Sequence, residues 1–195
     1  MTKFILAGGA DGSATKDQKI AFANEIELGF DKSMKILSVL FAQPRENWEQ
    51  YYKSRKEYFA KLFNDFQIKM ANPHNFSSQI QWADVVYIHG GDETLLAYWL
   101  NQYDLKHLFS EKVIIGSSAG AEYLSKNFNT PDWREIKSGK GFVEANVIVH
   151  YGSEYGVEDP RGPVDWGRMK DDLKGYDPNT KVYCIGEGDF VVFEK

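Results

Sequence analysis

Cysteine is almost missing from this chain. Cys184 is the only one in 195 residues, so an intramolecular disulfide is impossible and no set of thiolates exists for a zinc site. Long hydrophobic runs are missing as well. No apolar segment approaches the ~20 residues of a membrane span. The start, Met1-Thr2-Lys3-Phe4-Ile5-Leu6-Ala7-Gly8-Gly9, is too short for a signal peptide and has the pattern of a first strand. Runs of Lys and Arg are absent, and a net charge of −5 points away from nucleic acid and anionic membrane as partners. No repeat, low-complexity tract or linker interrupts the chain, so one domain spanning 1–195 is expected, in the cytoplasm, as a monomer or homodimer.

What the chain does have is aromatic weight and alternation. Five Trp and eleven Tyr are many for this length; most should pack in the core and on the surface, with some expected in a pocket wall. Apolar, β-rich runs at Lys3–Ala7, Lys35–Phe41, Phe66–Met70, Val85–His89, Lys112–Ser117, Phe142–His150, Lys181–Ile185 and Phe190–Phe193 read as strands. Helix-period segments at Lys16–Leu28, Trp48–Asn64, Thr94–Asn101, Ala119–Lys126 and Asp165–Lys174 lie between them. Such alternation predicts an α/β fold, with a mainly parallel sheet covered on both faces and ligands bound outside the carboxyl ends of its strands. Tyr151–Pro163, with Gly, Pro, acidic and aromatic residues mixed, reads as the mobile loop.

The most informative stretch is Lys112-Val113-Ile114-Ile115-Gly116-Ser117-Ser118-Ala119-Gly120-Ala121. A buried-strand run enters G-S-S-A-G and a helical sequence follows, the context in which G-x-S-x-G becomes a nucleophile elbow. Ser118 would stand at the strand end, with the N–H groups of the next helix available to a developing oxyanion. A turn that only packs well, or that binds an anion, would share the pattern. A serine nucleophile needs a base, and the chain has four histidines. His74 lies in a turn-like Asn-Pro-His-Asn, His107 follows a helix, and His89 ends a strand. His150 ends a long alternating run just before a Gly-rich loop, which places it at a cleft edge. A second motif, His89-Gly90-Gly91-Asp92-Glu93-Thr94, lets the backbone approach a ligand, or forms a tight turn capped by Asp92 or Thr94. It lacks the Lys and length of a P-loop and the spacing of a dinucleotide fingerprint.

These segments together, with Gly139-Lys140-Gly141-Phe142-Val143 leading to His150 and Ile185-Gly186-Glu187-Gly188-Asp189 near the end, resemble the dipeptidase E and cyanophycinase family of serine peptidases. The resemblance runs nearly end to end and implies a three-layer sandwich like that of class I glutamine amidotransferases (flavodoxin-like), with Ser at the elbow. It implies Ser118 as nucleophile, His150 as base, the N–H groups of Gly91 and Ala119 as oxyanion donors, and no metal or cofactor. It also implies an acid shortly after the nucleophile, where Glu135 suits the spacing better than Asp132. Gly90 and Thr94 fall in the family's double-glycine turn. Where aspartyl-dipeptide members carry a carboxylate-binding Arg, this chain has Asp165, with Arg161 and Arg168 nearby, so an aspartyl preference stays open beside a basic one.

Other readings fit less well. An α/β-hydrolase esterase would place its His far downstream, whereas Ser118 and His150 are 32 positions apart. A glutaminase would need Cys at the elbow. A binding protein on the same scaffold would lack a His–acid pair within reach of Ser118. The expectation is a serine peptidase acting on small peptides, because a cleft of loops at a sheet edge leaves little room for an extended chain.

Overall fold

In the computed structural model, which describes residues 1–9, 12–28, 30 and 33–195, the chain forms ten strands and seven helices among the described residues. The first half runs β1 (Lys3–Ala7), α1 (Lys16–Glu27), β2 (Met34–Val39), α2 (Trp48–Leu62), β3 (Phe66–Met70), α3 (Phe76–Trp82), β4 (Val85–Ile88) and α4 (Glu93–Leu100). The second half runs α5 (Leu105–Leu108), β5 (Val113–Ser117), α6 (Ala119–Leu124), β6 (Asn127–Thr130), β7 (Glu135–Ser138), β8 (Asn146–Ile148), α7 (Trp166–Tyr176), β9 (Val182–Cys184) and β10 (Phe190–Glu194).

The main sheet has six strands in the order β10-β1-β5-β4-β2-β3. All its pairs are parallel except β10 on β1. Side chains of a strand alternate between faces, and here both faces are buried. Phe4, Leu6, Leu37, Val39, Val86, Ile88 and Ile114 join one core with Ile80 of α3, Leu96 of α4 and Leu124 of α6. Ile5, Ile36, Val85, Tyr87 and Ile115 join another with Phe22 and Ile26 of α1 and Phe59 of α2. The result is the expected three-layer α/β arrangement. No helix is long and apolar enough to cross a membrane, among the described residues.

A second sheet, ordered β7-β6-β8-β9, departs from expectation. The run Phe142–His150 yields only the three residues of β8. The segment ahead of it serves another end. Lys140 N–H donates to Tyr123 O at 2.8 Å, Gly141 N–H to Ser125 O at 2.8 Å and Val143 N–H to Leu124 O at 3.1 Å. These bonds occupy carbonyls at the carboxyl end of α6, which have no partner within the helix. β6 and β7, polar and short, carried no apolar signal, and neither did the short helices α3 and α5. Phe128 and Val147 pack one face of the second sheet into the main core, while α7 covers its other face through Met169 and Leu173.

Candidate active site

Ser118 directly follows β5 with φ +52° and ψ −117°, a conformation that costs of order 1–3 kcal/mol and has to be held by its surroundings. Its N–H donates to Ala7 O at 3.0 Å, and its carbonyl accepts from Ala121 N–H at 2.7 Å and Glu122 N–H at 3.1 Å. The hydroxyl is thereby lifted off the strand end into the cleft. Gly90 lies against it: a Cβ at that position would stand 2.8 Å from Ser118 Cβ, so only glycine lets the Gly90-Gly91 turn come this near.

His150 arrives from the other sheet, two residues beyond β8. Its N–H donates to Gly8 O at 3.0 Å, and its own φ is +54°. Ser118 and His150 are thus two of the four non-glycine residues with positive φ among the described residues. Ser118 Oγ and His150 Nε2 are 3.0 Å apart. The ring is held between two neighbours. On one side Gly9 packs so closely that a Cβ there would meet Nε2 at 2.7 Å. On another Tyr155 stacks on it, with ring centroids 4.4 Å apart and planes 19° from parallel.

The carboxylate facing His150 is that of Glu187, with Oε1 at 3.1 Å from Nδ1. Glu187 sits in the link from β9 to β10, whose Gly188 N–H donates to Gly9 O at 3.2 Å. Its other oxygen accepts from Ser13 Oγ at 3.3 Å, which fixes the carboxylate plane. A Ser–His–carboxylate chain of this geometry can pass a proton from the hydroxyl to the imidazole and stabilise the imidazolium that forms.

The remaining expectations sort as follows. Glu135 is exposed on β7, paired in register with Thr130, and does not reach His150. Asp132 lines the cleft, but its carboxylate accepts the Tyr155 hydroxyl at 2.7 Å; it anchors the ring that stacks on His150 rather than orienting His150 itself. Gly90 and Gly91 line the cleft beside Ser118, and Ala119 is the buried first residue of α6. Thr94 is exposed and lines a separate, smaller pocket. Asp165 accepts from Arg168 N–H at 3.0 Å and caps α7, and Arg168 is exposed beside Asp172; neither lines the cleft. Arg161 does line it. Glu187 escaped the sequence reading even though its Gly-Glu-Gly-Asp turn between two strands was visible there. The Tyr155 stack had no sequence signal.

The cleft holds about 770 Å³ and is walled by Tyr51, Trp133 and Tyr155 among others. Glu122 of α6 is buried, and its Oε1 has no hydrogen-bond partner among the described residues. Burial, then the charges of Glu93 and Asp132, push its carboxyl up to about 8, so it is mainly protonated at neutral pH. Glu93, also buried, is instead paired with Lys137 at 2.8 Å.

The whole fold is shared with solved structures. A candidate peptidase E protein from Listeria monocytogenes EGD-e matches with a TM-score of 0.69 at 15% identity, over 99% of this chain and 94% of the other. A peptidase from an acI-B1 Actinobacterium matches with a TM-score of 0.68 at 20% identity, over 100% and 84%. No curated protein matches. The family model of peptidase family S51 covers residues 4–195, and with it the elbow, the His150 strand and the Glu187 turn. The chain belongs to peptidase family S51 and is a serine-type peptidase.

Proposed function

We propose that the chain hydrolyses short peptides through an acyl-enzyme on Ser118, with His150 as general base and Glu187 as the third member of the triad. The unbroken path from Ser118 Oγ through His150 to Glu187, at 3.0 and 3.1 Å, carries the proposal. Ser118 Oγ attacks the scissile carbonyl carbon while its proton passes to His150 Nε2. Nδ1–H donates to Glu187, which keeps the correct tautomer and offsets the imidazolium charge. The carbonyl oxygen, now anionic, takes hydrogen bonds from the N–H groups of Gly91 and Ala119. As the C–N bond breaks, His150 returns the proton to the leaving amine. A water then attacks the ester, giving its proton to His150, and Ser118 leaves with that proton.

The strained backbone at Ser118 and His150 supports this assignment, because such strain gathers where function requires it. The cleft's volume, with Tyr51, Trp133 and Tyr155 around it, supports a substrate of a few residues. A panel of dipeptides and β-aspartyl dipeptides, read by amine release, tests the reading. Turnover that vanishes in Ser118→Ala supports it. Turnover retained in Ser118→Ala, or a wild type that hydrolyses no member and takes no fluorophosphonate label, overturns it.

A further inference from the structure

Two large aromatic rings line the cleft, stay open to solvent and take no part in the triad. Tyr51 of α2 is 42% exposed, and Trp133, in the 131–134 turn between β6 and β7, is 56% exposed. An indole left this open forgoes much of the burial its size offers. On the floor of a cleft that also holds Ser118 and His150, that surface is available to whatever enters.

The turn that carries Trp133 is fastened on both sides of it. Arg134 follows with φ +57°, and its N–H donates to Thr130 O at 2.8 Å. Its guanidinium donates to Arg161 O at 3.4 Å and to Gly162 O, and Arg161 returns a bond to Asp132 O at 2.5 Å. Asp132 precedes Trp133, and its carboxylate accepts the hydroxyl of Tyr155, the ring stacked on His150. Trp133 is thus one residue from a group that bonds to the ring against the catalytic histidine. A side chain held in place before a ligand arrives loses little freedom on binding it.

The charged side chains lining the cleft already have partners. Asp92 accepts from Leu95 N–H at 2.8 Å, Glu93 pairs with Lys137 at 2.8 Å, and Asp132 takes the Tyr155 hydroxyl. Arg55 lies over the Tyr58 ring at 5.3 Å, and Arg161 Nε donates to Asp159 at 2.9 and 3.1 Å. Trp133 itself has a cation beside it, with Lys137 Nζ 5.7 Å from its ring. A cationic side chain coming to that ring would meet Lys137, and an acidic one would meet Asp92 and Asp132. An uncharged ring meets neither penalty and gains the apolar surface.

We infer that Trp133 is a specificity-determining residue of this cleft and stacks on an uncharged aromatic side chain of the substrate; this rests on the peptidase reading above. Aromatic pairs gain from their ring geometry beyond the area they bury. The side chain belongs either to the residue that supplies the scissile carbonyl or to the leaving residue.

Calorimetric binding of Phe-Ala, Ala-Phe, Ala-Ala, Asp-Ala and Arg-Ala to the Ser118→Ala protein tests this without turnover. One aromatic dipeptide is expected to bind about tenfold more tightly than Ala-Ala and more tightly than either charged dipeptide, and its order identifies the source. Adding Trp133→Ala is expected to remove most of that tenfold preference, whereas Trp133→Phe should keep most of it. Thermal melts check folding, and Trp133→Gln carries the test should the Ala variant not fold. Aromatic dipeptides that bind no better than Ala-Ala, or less well than Asp-Ala or Arg-Ala, overturn the inference; so does a preference that survives loss of the indole. Fluorophosphonate labelling of the protein with Ser118 intact keeps the two readings apart. Absent labelling with a Trp133-dependent preference sinks the peptidase reading alone; normal labelling with no such preference sinks this one alone.

Discussion

The two sheets of this molecule are built on different physics, and the active site spans the seam between them. The main sheet is apolar on both faces, with Ile5, Leu37, Val86, Ile114 and Ile115 almost fully buried. The second sheet buries polar side chains and bonds several of them to one another and to α7 and its end, while Asn129 Oδ1 and Thr130 Oγ1 are buried with no hydrogen-bond partner among the described residues. Asn127 Nδ2 donates to Asn146 Oδ1 at 3.0 Å and to Asp177 at 3.2 Å, Ser138 Oγ donates to Asn127 Oδ1 at 3.0 Å, and Asn129 Nδ2 donates to Met169 O at 3.1 Å. The first holds strands by dispersion and exclusion of water; the second specifies register through directional bonds. Ser118 comes from the apolar sheet and His150 from the polar one. Glu187 lies in the stretch that joins β9 of the second sheet to β10 of the first. Each member of the proposed triad depends on both sheets keeping their relative place.

That contrast can be broken from either side. The largest effect should come from the main sheet: Ile114→Ala leaves a cavity in a fully buried layer and should cost ~2–5 kcal/mol by urea unfolding. In the second sheet, Asn127→Ala removes a donor and leaves Asn146 and Asp177 short of one, so about 1–3 kcal/mol should be lost.

Glu122, on the helix between the sheets, sharpens the comparison through pH. Its carboxyl is raised from 4.5 to about 8 in the folded chain. Below pH 4.5 it is protonated in both states and costs nothing. As pH rises from there toward 8, the unfolded chain releases a proton that the folded chain keeps, so wild-type stability falls by up to about 1.4 kcal/mol per pH unit. Glu122→Gln should flatten this slope in thermal melts taken from pH 5 to pH 8. An unchanged slope would show that Glu122 is ionised in the fold. A smaller effect should be that of Tyr155→Phe. It keeps the stack on His150 but cuts the tether to Asp132, and should lower kcat/KM only a few-fold, or about 1 kcal/mol.

The same contrast explains what was legible in the sequence. Lys3–Ala7 could be bounded correctly because a buried strand is written as an apolar run, and the edge strand Phe66–Met70 because its apolar and polar residues alternate. Asn127–Thr130 and Glu135–Ser138 carry no such run, since their pairing depends on side chains that meet only after the chain has folded. Ser118 and His150 were visible because a glycine-framed elbow and a strand-terminal histidine are local features. The acid was not. Asp132 and Glu135 stand nearer Ser118 in sequence, but the chain passes through α7 and β9 before it brings Glu187 back to His150. Only the Gly186-Glu187-Gly188-Asp189 turn marked the place in advance.

The central claim is that Glu187 completes the triad, and the most direct measurement is kcat/KM for Glu187→Gln, Glu135→Gln and Asp132→Asn on one hydrolysed dipeptide. Glu187→Gln should fall by about 10²- to 10⁴-fold with the fold intact, because the imidazole loses the carboxylate that sets its tautomer. Glu135→Gln should stay near wild type, and Asp132→Asn should lose only a few-fold through the Tyr155 tether. A Glu187→Gln variant that keeps wild-type turnover while Glu135→Gln or Asp132→Asn loses it would contradict the account.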